Sequence, residues 1–190
     1  MAEEMAMDRA HRQVALIRGI NVGRAKRVAM ADLRAMVADL GYGDVRTLLN
    51  TGNLVYTASG AAPAEAAARI EGGLAAKLGV AARVTALTAA ELDEAVAGNP
   101  LLDVADNPSR LLVAFLAHPA DRIRLAPLMN DDWAPEALAL GARVAYLWCP
   151  EGVLASSALV AVGRALGDAV TSRNWATVLK LHALAAERGR

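Results

Sequence analysis

The sequence predicts an α+β fold built from two tandem ferredoxin-like (split βαβ) halves, each an antiparallel sheet with helices on one face. Three observations carry this prediction. The order strand-helix-strand-strand-helix-strand is legible twice, each time with a further helix appended. Each copy contains a two-strand run broken by turn chemistry, at Asn50-Thr51-Gly52-Asn53 and again about Gly141. A stretch of turn residues, Gly98-Asn99-Pro100 to Asn107-Pro108-Ser109, separates the copies. With 190 residues the chain is long enough for two such halves. The expected organisation is an N-terminal segment over 1–11, a first half over 12–98, a linker over 99–109, and a second half over 110–190 ending in a helix. The repeat is one of element order; no residue-level self-similarity stands out.

The elements follow in order. Val14–Ile17 is a short apolar run ending at Arg18-Gly19 and reads as a buried strand. Met30, Leu33, Val37 and Leu40 fall at helical spacing, closed by Gly41 and Gly43. Val45–Leu49 and Leu54–Thr57 are strands flanking the Asn/Gly turn. Pro63 opens an alanine-rich helix with Ile70, Leu74 and Leu78 on one stripe, stopped by Gly79. Ala82–Leu87 is a strand. Thr88 and Glu91 then form a capping box for a helix to about Val96. In the second half Leu111–Leu116 is a strand and Asp121–Met129 a helix. Ala137–Leu140 and Val144–Trp148 make a hairpin, and Val153–Leu166 is helical. Ala169–Thr171 is a short strand, and a last helix runs from Asn174 to about Ala186.

Composition narrows the function. Lys plus Arg and Asp plus Glu are 20 each, so no bulk attraction to nucleic acid or anionic membrane is encoded. Aromatic residues are 4%, too few for a broad base-stacking platform. The single cysteine, Cys149, excludes an intrachain disulfide framework and a Cys-rich zinc site. The N-terminal residues carry Glu3 and Glu4 where a secretory leader has basic residues, and no apolar run approaches the roughly 20 residues of a membrane span. A soluble cytoplasmic protein without a membrane partner is expected.

Topology makes one inference about a site. In a split βαβ unit with strand order 4-1-3-2, the end of strand 1 and the turn between strands 2 and 3 lie at the same edge. The Arg18-Gly19-Ile20-Asn21-Val22-Gly23 loop and the Asn50-Thr51-Gly52-Asn53 turn are therefore expected to meet. Glycines let backbone approach a ligand, and Arg24, Lys26 and Arg27 add positive charge. Against this, Gly19 and Gly23 suit an ordinary tight turn, and the 50–53 segment suits an ordinary hairpin. A second cluster, Thr171-Ser172-Arg173-Asn174, opens the last helix. There Arg173 is either an anion-binding group or a cover for Trp175. The candidate ligand-binding residues are Arg18, Gly19, Asn21, Gly23, Thr51, Gly52, Asn53, Arg173 and Asn174.

The sequence offers no nucleophile-base-orienter set. His11, His118 and His182 lack partners at metal-ligand spacing, so no metal or other cofactor is expected. Asp131-Asp132 reads as a solvated loop, and Ser156-Ser157 lack a nucleophile elbow. The leading reading is binding of an anionic small molecule, a nucleotide or a phosphorylated metabolite. RNA binding or a protein-interaction role is the alternative, with nucleic acid disfavoured by charge and by the single Phe115.

Two segments carry a family resemblance. Val14 to Gly23, Met30, Leu33-Arg34, Arg46-Thr47 and Thr51-Gly52-Asn53, together with the closing Thr171, Arg173, Asn174, Trp175, Thr177, Lys180 and Leu181, resemble the domain-of-unknown-function family numbered 1697. The resemblance spans about residues 12 to 185. It implies a bacterial α+β protein with ferredoxin-like halves, and implies no activity. The chain departs from the family pattern at Asn50, where Gln is common, at Leu101, where an aromatic follows Asn-Pro, and at Ser157, where Lys commonly follows Ser.

Overall fold

The computed structural model describes residues 11–22 and 26–187. Contacts divide the chain into two compact units, the first drawn from Met1–Leu92 with Lys180–Arg190 and the second from Asp93–Leu179. Each contains a four-stranded antiparallel sheet.

In the first unit, β1 (Arg12–Ile17), β2 (Gly43–Leu48), β3 (Asn53–Thr57) and β4 (Val84–Thr88) lie in the order β2-β3-β1-β4. Helices α1 (Met30–Asp39) and α2 (Pro63–Leu78) join them. Strand alternation explains the packing: Ala15 and Ile17, Leu54 and Tyr56, and Val84 and Ala86 all point to the helix side. There they meet Leu33, Met36 and Val37 of α1 and Ala66, Ile70 and Leu74 of α2. Helix α2 ends as its sequence demands. Gly79 takes φ 66°, and its N–H bonds the Leu74 carbonyl. The capping box is also present. Thr88 Oγ1 accepts from Glu91 N at 3.1 Å and Glu91 Oε2 from Thr88 N at 2.7 Å, opening α3 (Ala89–Ala97).

In the second unit, β5 (Leu111–Leu116), β6 (Ala137–Leu140), β7 (Val144–Trp148) and β8 (Val170–Asn174) lie in the order β6-β7-β5-β8. Helix α4 (Ser157–Leu166) packs Ala158, Val162 and Leu166 onto Leu112, Ala114, Leu116, Ala145 and Leu147. Helix α5 (Trp175–Ala186) closes the order. Two expected helices differ from their sequence reading. The segment Pro119–Asn130 is a run of 3-10 turns, because Pro127 has no N–H to donate and denies a continuous i to i−4 ladder. The Val153–Leu166 stretch is broken into a 3-10 turn over Val153–Ala155 and then α4. The break falls at Ser156, whose Oγ accepts from Leu159 N at 3.0 Å.

The repeat goes deeper than element order. Ile17 N donates to Gly52 O at 2.7 Å and Arg18 N to Arg83 O at 2.8 Å. In the second unit Leu116 N donates to Arg143 O at 3.0 Å and Ala117 N to Ala169 O at 2.8 Å, on the same rungs. Ile17 pairs Val84 as Leu116 pairs Val170, and Leu16 pairs Thr85 as Phe115 pairs Thr171. Gln13 pairs Thr88 as Leu112 pairs Asn174, and both of those partners cap the helix that follows. The shared feature is position and hydrogen bonding rather than residue identity, which is why the sequence alone shows no internal repeat.

Candidate functional site

The corner where β1 ends is bound by several side-chain and backbone hydrogen bonds. Past Ile17 the chain turns through Gly19 at φ 70°, exposed, with no heavy atom of the described residues within 4 Å of where a Cβ would stand. Ile20 drops into the core. Asn21 then takes φ 54°, a left-handed conformation that Asn tolerates. Its side chain closes the loop: Oδ1 accepts from Val28 N at 2.9 Å, and Nδ2 donates to Val28 O at 2.8 Å and Asn50 O at 2.7 Å. The Asn21 N–H donates to Lys26 O at 3.1 Å.

The facing turn is equally constrained. Gly52 has φ 78°, and a Cβ there would stand 2.8 Å from Ile17 Cβ and 2.9 Å from Ile20 Cδ1. Asn53 is fully buried and its Nδ2 donates to Leu48 O at 3.0 Å and Thr51 Oγ1 at 3.1 Å. The 18–22 loop and the 50–53 turn therefore meet, through Asn21 to Asn50 and Ile17 to Gly52.

These contacts sort the candidate residues. Asn21 and Asn53 hold the frame with their amides, and Gly52 supplies the close approach. Gly19 stands open, Thr51 is exposed, and Arg18 is half-buried. Gly23 and Arg24 lie outside the described residues. Lys26 and Arg27 are exposed at the end of the loop, and Lys26 is also left-handed at φ 50°. Arg34 Nη1 donates to Thr47 Oγ1 at 2.7 Å on the neighbouring strand.

Arg173 and Asn174 belong to the second unit. Arg173 lies in β8 opposite Val113, and its Nη1 donates to Ser172 O at 2.9 Å. Burial lowers its pKa to about 10, which leaves it cationic at neutral pH. Asn174 Oδ1 accepts from Thr177 N at 2.9 Å, so it is the N-cap of α5. Trp175 is buried directly behind it.

The equivalent corner of the second unit is filled differently. Arg143 occupies the rung of Gly52, and its guanidinium folds back to donate to Leu116 O at 3.3 Å and Ala117 O at 3.1 Å. His118 is exposed beside it.

A cluster the sequence reading missed sits at the start of α4. Glu136 accepts from Ser156 Oγ, from Ser157 Oγ at 2.6 Å, from Ser157 N at 2.9 Å and from Ala158 N at 3.3 Å. Burial opposes ionisation, but hydrogen bonds from both serines and from the Ser157 and Ala158 N–H groups outweigh it and hold the carboxyl below its usual pKa. The carboxylate thus fills this helix N-terminus from within the chain. Its only sequence signal was the serine pair, because Glu136 lies twenty residues upstream on another element. Nearby Cys149 is buried, which raises its thiol pKa and disfavours the reactive thiolate. Among the described residues no group of three or more His, Cys, Asp or Glu is placed to hold a metal ion, and no helix is long and apolar enough to cross a membrane.

Comparison with known proteins adds fold and family. The chain is similar to a solved structure, the conserved bacterial protein SP0830 from Streptococcus pneumoniae. The TM-score is 0.73 at 22% identity, covering 92% of this chain and 98% of that one. At that identity the likeness speaks for the fold. No curated protein matches the chain. A family model matches residues 10–146, more than two thirds of the sequence, and the chain accordingly belongs to the family described as protein of unknown function (DUF1697).

Proposed function

We propose that each unit is a ferredoxin-like module and that the β1 corner of the first binds an anionic small molecule, a nucleotide or a phosphorylated metabolite. The strand orders β2-β3-β1-β4 and β6-β7-β5-β8, with all neighbours antiparallel, support the first part. The observation that carries the second is the contrast between equivalent corners. The second unit closes its corner with the Arg143 guanidinium on the Leu116 and Ala117 carbonyls. The first has glycine on that rung, open space over Gly19, and Arg18, Lys26 and Arg27 around the loop.

The loop is also tied across its described flanks, 18–22 and 26–28, by the chain itself. Asn21 ties it to Val28 and Asn50 through three side-chain hydrogen bonds. The exposed cations Lys26 and Arg27 favour a phosphate or carboxylate. The RNA alternative has less to rest on. Phe115, Tyr56, Tyr146 and Trp148 are all buried, which leaves no aromatic pair on an open sheet face for bases.

Thermal-shift titration with nucleotides, sugar phosphates and pyrophosphate tests the reading. A ligand at 100 times its Kd stabilises the protein by about 2.7 kcal/mol, a rise of several degrees in Tm. The rise should vanish in Arg18→Ala and shrink in Arg27→Ala, while the Tm of each variant without ligand stays near that of the parent. Variants that respond as the parent does, or a parent that responds to none of these anions, would overturn it.

A further inference from the structure

The same corner exposes two aliphatic residues that packing does not explain. Val22 is 66% exposed and Leu49 is 52% exposed. The 2.7 Å hydrogen bond from Asn21 Nδ2 to Asn50 O joins their immediate chain neighbours. Leu49 is held at φ 57°, a left-handed conformation that L side chains with a branched γ-carbon rarely adopt. Asn or Gly is the ordinary occupant of such a position, and a half-exposed leucine gains little burial to offset the strain. The exposed cations Lys26 and Arg27 lie in the same loop as Val22, which Asn21 closes by donating its N–H to Lys26 O at 3.1 Å and accepting at Oδ1 from Val28 N at 2.9 Å.

Resting on the anion-binding reading above, we infer that the ligand is a nucleotide whose base lies on Val22 and Leu49 while its phosphate is held by Arg18, Lys26 and Arg27. A bare phosphate leaves both aliphatic residues in water. An uncharged apolar ligand leaves the exposed Lys26 and Arg27 in water. A nucleotide satisfies both, because a base has an apolar face as well as a tethered anion.

Isothermal titration with AMP, GMP, CMP and UMP beside ribose 5-phosphate tests this on the parent, Leu49→Asn and Val22→Asn. The parent should bind at least one nucleotide about tenfold more tightly than ribose 5-phosphate, the worth of covering one face of a base with two aliphatic side chains. Leu49→Asn should raise the Tm, since Asn suits the left-handed backbone, and yet lower nucleotide affinity to the ribose 5-phosphate level. Val22→Asn should lower it likewise. Equal affinities for nucleotides and ribose 5-phosphate, or unchanged nucleotide affinity in both variants, would overturn the base contact and leave the anion site standing. No binding of any phosphate compound would remove both. Co-sedimentation with phosphatidylglycerol vesicles that is lost in Leu49→Asn, without nucleotide binding, would reassign the surface to a membrane and overturn the proposal.

Discussion

Gly52 shows how much one residue decides at this corner. Its φ of 78° disfavours any side chain, and a Cβ would press on Ile17 and Ile20 in the core. Gly52→Ala should therefore cost about 3 kcal/mol in urea denaturation, the sum of backbone strain and overpacking. Gly19 is the control. Its φ of 70° is similar but the space is open, so Gly19→Ala should cost only about 1 kcal/mol. The same scale governs the alkaline limb of stability. Burial, with a smaller contribution from Tyr42, pushes the Tyr56 phenol far above its usual pKa of 10. The unfolded chain then releases this proton from about pH 10 while the folded chain retains it. The stability is intact below pH 10 and falls above it. Tyr56→Phe should flatten that fall, at a cost near neutrality of about 1 kcal/mol for its hydrogen bond to Gln13. Denaturation midpoints measured from pH 7 to 11.5 check this.

At the scale of elements, helix starts separate what local sequence determines from what it does not. The Thr88–Glu91 box was legible because its partners are three residues apart and their chemistry is self-sufficient. The start of α4 was not. Its N-terminal donors go to Glu136, which a hairpin brings back from twenty residues away. Glu136→Gln should lower stability at pH 7 by about 1–2 kcal/mol, through loss of charge-assisted hydrogen bonds. Because the folded carboxyl titrates below its ordinary value of 4.5, that contribution is complete above pH 4.5 and fades as pH falls through the folded value. The two proteins' stabilities should converge in acid. The expected Asp121–Met129 helix instead lies within the Pro119–Asn130 run of 3-10 turns, where the missing N–H of Pro127 denies an α-helical ladder.

At the scale of the molecule, charge and aromatic placement bear on the partner proposed. Formal charges cancel, with 20 of each sign, and the large aromatics of both sheets are buried. A labelled single-stranded RNA should show no salt-sensitive gel shift at micromolar protein, whereas a protein neutralising several phosphates would lose affinity steeply with salt. A robust shift that weakens with salt would contradict this expectation.

The sequence by itself determined the α+β class, the two-copy element order and most strand and helix positions, because these rest on periodicity and turn chemistry within short windows; the family came from the motif resemblance at Val14–Gly23 and Thr171–Leu181, which the family model bears out over residues 10–146. It also named the loop and turn that meet, since strand order alone brings them together. Only the tertiary structure decided what the polar residues there do. Asn21 and Asn53 look like ligand groups in sequence, yet their amides close the loop and the turn. Asn174 resembles them and is a helix cap. The physical reason is that a hydrogen-bonding group commits to whichever partner the fold brings within 3 Å, and those partners come from other elements. Exposure is equally non-local: Leu49 reads as a strand residue, and only the folded chain sets it left-handed and half-exposed at the corner.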